Sequence, residues 1–127
     1  MTNASPDATP APYQWLDPVL GLEMVGDEDS LIDILNLADE GLTRDLPAIE
    51  QCLASGDARR ADEMLHAIKG FVPIFCVESL VEHVTRVELL GKTASAQELA
   101  PAYAPLAPQL HQLRDEIRRY RDAGRTA

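Results

Sequence analysis

The residues whose types and spacing could do chemistry in this sequence lie in the stretch LHAIKGF, residues 65–71. On a helix, His66 and Lys69 lie one turn apart on one face, and Gly70 leaves the imidazole without a shielding neighbour. A neutral imidazole has a free lone pair on one ring nitrogen, and that nitrogen can attack phosphorus. A lysine beside it supplies positive charge to the oxygens of a phosphoryl group in transit. The spacing therefore indicates phosphoryl transfer, at a cost of about 1 kcal/mol of helix stability for glycine relative to alanine.

The other histidines and both cysteines have more ordinary interpretations. His83 and His111 are expected to be satisfied or half-exposed side chains, and Cys52 and Cys76 to be small buried thiols without zinc-ligand spacing. A metal site built from His66, His83 and Cys76 is not required by the helical phases, so we predict no metal and no cofactor on this chain. An exposed histidine near a lysine is also common on helix surfaces, which leaves open a structural bundle in which His66 is incidental.

The elements that must position these side chains are helices. Aromatic residues make up only 5% of the chain, and Leu, Ala, Glu, Asp and Arg recur where a sheet protein would place β-branched residues. Apolar residues fall at three- and four-residue spacings. This pattern predicts four long helices. The first runs over about 29–54 with a bend at Pro47, and the second runs from the capping Asp57 to Phe75 with a kink at Pro73. The third runs over 77–90 with Leu80, Val81, Val84, Val87 and Leu90 facing inward, and the fourth runs from after KTAS through Pro101, Pro105 and Pro108 to Tyr120.

Short loops join these helices, and helices joined by short loops prefer antiparallel neighbours. We therefore predict an all-α fold, an antiparallel up-down four-helix bundle with a short N-terminal helix that follows Tyr13. Residues 1–12 are rich in Pro, Ala, Thr and Ser, so we expect a disordered arm there and the helical domain over residues 13–127.

Charge and composition exclude several classes of function. A net charge of -10 repels nucleic acid and anionic membrane surfaces, because binding there depends on lysine and arginine. No stretch approaches ~18 consecutive apolar residues, and the start MTNASPDATPAP lacks the features of a signal peptide, so we expect a cytoplasmic protein. No glycine-rich nucleotide loop is present, so we expect no autonomous kinase activity, and any phosphoryl group must come from another protein.

The motif HAIKG resembles the H-x-[LI]-K-G signature of histidine phosphotransfer domains, the phosphorelay modules that carry a phosphoryl group between receiver-domain aspartates. The similarity continues without a gap through HAIKGFVPIFCVESLVEHVTRVELLGK, and it includes the acidic GDEDSLIDIL stretch. The resemblance implies that His66 is the phosphoacceptor, that Lys69 stabilises the phosphoryl group and that Gly70 gives access. It also implies a polar side chain on the following helix that orients the histidine, for which Glu88 and Thr85 are the candidates.

Some residues depart from the pattern of this family. The small residues that usually follow the glycine are replaced here, beginning with Phe71, and the second glycine six positions later is replaced by Cys76. Asp62, Phe71, Pro73 and Ile74 are the expected docking residues for a receiver domain. Phe71 and Ile74 could equally belong to the core, and the sequence leaves that choice open.

The resemblance also implies partners. These are response-regulator receiver domains and a hybrid histidine kinase, with Mg²⁺ bound by the receiver and not by this chain. One phosphoacceptor per bundle needs no second copy, so we expect a monomer. An alternative of another class stays open, a docking module that binds a receiver or kinase and regulates two-component signalling without transferring phosphate.

Overall fold

Six helices make up the fold of residues 13–126, the part of the chain that the computed structural model describes, with side chains described over 13–123. The helices are α1 (Pro18–Val25), α2 (Glu28–Ser55), α3 (Ala58–Phe75), α4 (Glu78–Gly91), α5 (Ala96–Tyr103) and α6 (Leu106–Thr126). Within this part of the chain there is no strand, so the all-α prediction is confirmed. The predicted disordered arm, residues 1–12, lies outside the described residues.

Local signals in the sequence account for where these helices begin and end. Four helices begin at a capping residue whose side chain accepts a hydrogen bond from a backbone N–H of the first turn. These capping residues are Asp17, Asp27, Asp57 and Ser95. Gly26 and Gly56 end α1 and α2 with φ angles of 100° and 87°, in the left-handed region that glycine adopts without a steric penalty. Local sequence signals therefore determine the turns before and after α2.

The predicted bounds of the first three long helices agree with α2, α3 and α4 to within a residue or so. Both α2 and α3 continue past their internal prolines, Pro47 and Pro73, which are exposed. One inward position of α4 was predicted wrongly, because Leu90 is 40% exposed. Gly91, and not Leu90, continues the line of buried positions that runs through Leu80, Val84 and Val87.

The predicted fourth helix is two helices. It breaks at Ala104 and Pro105, between α5 and α6. Proline has no N–H, so Pro105 cannot donate to the carbonyl of Pro101, and Pro108 cannot donate to that of Ala104. Two missing hydrogen bonds within one turn explain the break, and Pro108 is accommodated in the first turn of α6, where a donor is not needed.

The core is formed by side chains from α2 to α6. Helix α2 packs against α1, α3, α5 and α6, and α3 packs against α1, α2 and α4. The fully buried side chains include Leu31, Leu35, Leu42, Leu46 and Ile49 of α2, Leu65 and Phe75 of α3, and Leu110, Leu113 and Ile117 of α6. Each such side chain contributes about 2 kcal/mol by leaving water. Helices α1, α2 and α4 cover three sides of α3, and its remaining face is exposed to solvent.

A buried glutamate ties the segment before α1 to the last helix. Glu116 of α6 is fully buried and accepts hydrogen bonds from the backbone N–H groups of Gln14, Trp15 and Leu16, each at 2.9 Å. Leu16 also forms an antiparallel bridge with Cys76, at the end of α3. The segment thus closes the end of the core beside the α3–α4 connection. Over residues 13–126, none of the helices has the length and apolar character that crossing a membrane requires.

Candidate functional site

The candidate site lies where the exposed face of α3 meets α4. His66 stands on α3 with its side chain 63% exposed. Its Nδ1 atom lies 3.7 Å from Oε2 of Glu88, which projects from α4. That distance is longer than a hydrogen bond, so the contact between the ring and the carboxylate is not a direct hydrogen bond. Because Nδ1 faces Glu88, Nε2 lies on the far side of the ring.

Glu88 is fully buried and is held between two lysines. The Nζ atom of Lys69 lies 2.9 Å from Oε1, and that of Lys92 lies 2.8 Å from Oε2. Burial alone would raise the pKa of Glu88, but its contacts with Lys92, Lys69 and Asp62 lower that pKa to about 2. Glu88 is therefore ionised at neutral pH, and its negative charge holds both ammonium groups beside His66.

Asp62, one turn before His66 on α3, adds a second carboxyl to this cluster. Its Oδ1 atom is buried, and the side chain contacts Glu88. Burial, together with the hydrogen bond to Glu88 and its charge, raises the pKa of Asp62, against the opposing effect of Lys92 and His66. Gly91 makes room for it, because a Cβ atom there would lie 2.8 Å from Oδ1.

Gly70 faces open space. A Cβ atom built on Gly70 would meet no atom within 4 Å, and its φ angle lies outside the left-handed region. Nothing within the described chain therefore requires glycine at this position. Alanine at this position would make the helix more stable by about 1 kcal/mol.

Charged side chains of both signs surround His66. Two lysines, Lys69 at 31% exposure and Lys92 at 46%, face the buried, ionised Glu88 and the second carboxyl of Asp62. Both lysine side chains are partly exposed to solvent. Preorganised cations beside a nucleophile are what the transfer of a negatively charged phosphoryl group requires.

The structure brings together most of the residues that the sequence singled out. His66, Lys69 and Gly70 share one face of α3, and Glu88 is the polar neighbour on α4. Thr85 does not fill the orienting role considered for it, because it is exposed and its hydroxyl donates to the carbonyl of Val81 at 2.7 Å.

The expected docking residues are divided between surface and core. Phe71 and Ile74 are half-buried and pack against the core, and the ring of Phe71 stacks on Phe75 with centroids 5.8 Å apart. Pro73 is exposed. Asp62 points to Glu88 and Gly91, so part of its carboxyl belongs to the site itself.

Two residues of the site were missed by the sequence reasoning. Lys92 follows Glu88 by four residues, a spacing at which a glutamate and a lysine meet on a helix, so this pair could have been found from the sequence. Gly91 lies just after the predicted helix over 77–90. Its role as the space into which Asp62 packs depends on contact between two helices, so no pattern within one helix could reveal it.

The remaining histidines have partners away from this site. Nδ1 of His83 lies 2.7 Å from Oε1 of Gln109, and Nε2 of His111 lies 3.4 Å from Oε2 of Glu50. Among the described residues, no group of three or more His, Cys, Asp or Glu side chains is arranged to hold a metal ion. His66, His83 and Cys76 therefore form no such group.

Comparison of the chain with protein-family models, with curated proteins and with solved structures gave no match. The functional proposal therefore rests on the geometry of one cluster, called the His66 site below. It consists of His66, Lys69, Gly70, Glu88 and Lys92.

Proposed function

We propose that this protein is a histidine phosphotransfer protein of a two-component phosphorelay, with His66 as the phosphoacceptor. The observation that carries the proposal is an exposed imidazole whose Nδ1 faces a buried carboxylate, beside two lysines and a glycine that opens onto solvent. In this proposal α2, α3, α4 and the α5–α6 pair form an antiparallel up-down four-helix bundle that presents the His66 site on its side.

The chemistry begins with a neutral imidazole that carries its proton on Nδ1, the tautomer that the negative charge of Glu88 favours. The lone pair of Nε2 forms a bond to phosphorus while the bond from phosphorus to an aspartate oxygen of the receiver breaks, and the receiver leaves as a carboxylate. The ring then holds both the Nδ1 proton and the phosphoryl group and is positively charged. Glu88 stabilises that charge, and the reverse sequence returns the phosphoryl group to another receiver.

The lysines act on the phosphoryl group. Lys69 and Lys92 are anchored on Glu88, on the Nδ1 side of the imidazole, so their ammonium groups turn toward Nε2 when the oxygens of the phosphoryl group arrive. Gly70 leaves the surface beside His66 free of a side chain, which allows the active-site loops of a receiver to reach Nε2.

The partners in this proposal are receiver domains and a hybrid histidine kinase in the cytoplasm. The receiver supplies Mg²⁺, and this chain, which we propose is a monomer, supplies the imidazole and the two lysines. No motif of the sequence binds ATP, so the chain depends on another protein for its phosphoryl group.

The test is transfer from a phosphorylated receiver domain to the full chain. We expect acid-labile, alkali-stable phosphate on the wild type and none on His66→Gln, whereas His111→Gln, a change at a histidine outside the site, should be labelled like the wild type. If receivers bind the wild type and no receiver labels it, the transfer proposal is wrong and the chain is a docking module. Label on His66→Gln would refute the assignment of the acceptor.

A further inference from the structure

Asp62 forms a carboxyl pair with Glu88, and the chemistry above leaves Asp62 without a role. Both project into the contact between α3 and α4, and neither is explained by helix propensity or by capping. Oδ1 of Asp62 and Oε2 of Glu88 are both buried and accept no hydrogen bond from the described residues, and Gly91 provides the space that the Asp62 carboxyl fills. Two ionised carboxylates in contact repel each other, and a buried pair therefore tends to hold one proton between its members.

We propose that Asp62 is a positioning residue for the His66 site: its carboxyl shares one proton with Glu88, which holds Glu88 toward His66 and leaves a single negative charge on the pair. This inference rests on the proposed function, since it concerns how the site receives a phosphoryl group. The residue does not touch the reacting atoms and acts through Glu88.

The shared proton changes the net charge of the lysines and carboxylates around His66. The titratable groups that face the pair are His66 and Lys69 on α3 and Lys92 after α4. With one proton on the carboxyl pair, the two lysines exceed the carboxylates by one positive charge. When Asp62 loses the proton, the lysines and carboxylates balance, and the phosphoryl group meets a neutral surrounding. Loss of one unit charge in a partly exposed site should slow transfer about tenfold.

Asparagine separates the two forms of Asp62. Asp62→Asn keeps a donor toward Glu88 and cannot ionise, so it mimics the protonated carboxyl at every pH. Asp62→Ala removes the donor. Glu63→Gln is the matched control, because Glu63 is the next residue on α3, is exposed, and pairs only loosely with Arg59 at 3.8 Å.

The experiment has two parts, both on the full chain. The ¹³C resonance of the Asp62 carboxyl is followed by NMR from about pH 3 to pH 8, in the wild type and in Glu88→Gln. The rate of transfer from one phosphorylated receiver is then measured over the pH range in which Asp62 titrates. We expect Asp62 to titrate above the ordinary range of aspartate and to return toward it in Glu88→Gln. The wild type and Glu63→Gln should slow about tenfold as Asp62 ionises, and Asp62→Asn should not.

The outcomes distinguish this inference from the proposed function. An ordinary titration of Asp62, unchanged in Glu88→Gln, overturns the shared proton whatever the transfer assay gives. A shifted titration with equal pH profiles for the wild type and Asp62→Asn overturns the positioning role. If Asp62 titrates as expected but the wild type accepts no phosphoryl group, the proposed function fails and the shared proton stands as a structural feature.

Discussion

Replacing Gly70 by alanine should stabilise the protein and impair its function, and the two effects are measured separately. A Cβ atom at position 70 meets nothing within 4 Å, so the change introduces no clash. The gain is that of alanine over glycine inside a helix, about 1 kcal/mol, which for a domain of this size corresponds to a rise in Tm of roughly 3–5 °C. Gly41 in α2 is the matched control, because a Cβ atom there makes only ordinary contact with Arg44, at 3.7 Å.

The assay pairs urea denaturation with phosphoryl transfer from a receiver domain. Gly70→Ala and Gly41→Ala should both raise the urea midpoint, by amounts that agree to within about 0.5 kcal/mol in the free energy of unfolding. Transfer should fall only at position 70, modestly for alanine and by at least about tenfold for Gly70→Leu, whose side chain would cover the face beside His66. If Gly70→Leu transfers at the wild-type rate, access is not the reason for this glycine. If Gly70→Ala is less stable than the wild type, the reasoning about open space is wrong.

Two further predictions concern buried carboxylates. Glu88 has its pKa lowered to about 2, so its ionised form stabilises the fold above the ordinary range of glutamate, and this contribution is lost as the pH falls toward 2. The difference in unfolding free energy between the wild type and Glu88→Gln, on the order of 3 kcal/mol at pH 7, should therefore shrink on acidification, and a gap that is independent of pH would contradict this. Glu116→Ala should cost about 3 kcal/mol by leaving three backbone N–H groups without their acceptor, whereas the exposed neighbour Asp115→Ala should cost little. The emission of Trp15, the only tryptophan, should shift to the red in Glu116→Ala, and an unchanged spectrum would show that the segment is held by other contacts.

The helices were predictable because their signals are local. Capping side chains such as Asp57 and apolar residues at three- and four-residue spacings lie within one element, and they placed α2, α3 and α4 to within a residue or so. The break between α5 and α6 was missed because the apolar spacing continues across it. The decisive signal was a second one, the pair Pro105 and Pro108, which removes two donors from the same turn.

The site was only partly predictable, because it forms between two helices. The motif placed His66 and Lys69 on one face of α3. It carries no information on how α4 is rotated about its axis, and that rotation brings Glu88 rather than Thr85 next to His66. A threonine hydroxyl in a helix can bond to the carbonyl four residues before it, and Thr85 does so. The residue of α4 that faces His66 is therefore determined by the packing of α3 against α4, which the sequence of one helix does not show.

A glycine in an exposed helix is weak ground for a functional site when taken by itself. Gly41 shows this, because it also lies inside a long helix, and among the described residues the only side chain near the position of its missing Cβ is that of Arg44. What distinguishes Gly70 is that two unfavourable choices coincide around His66: an open glycine on α3, and a fully buried carboxylate on α4 that needs two lysines to compensate its charge. A hydrophobic pair between α3 and α4 would stabilise the fold at least as well as the buried Glu88 and its lysines. Local rules that are broken together around one exposed histidine are expected at functional sites, so these residues support the proposed function in a way that Gly41 does not.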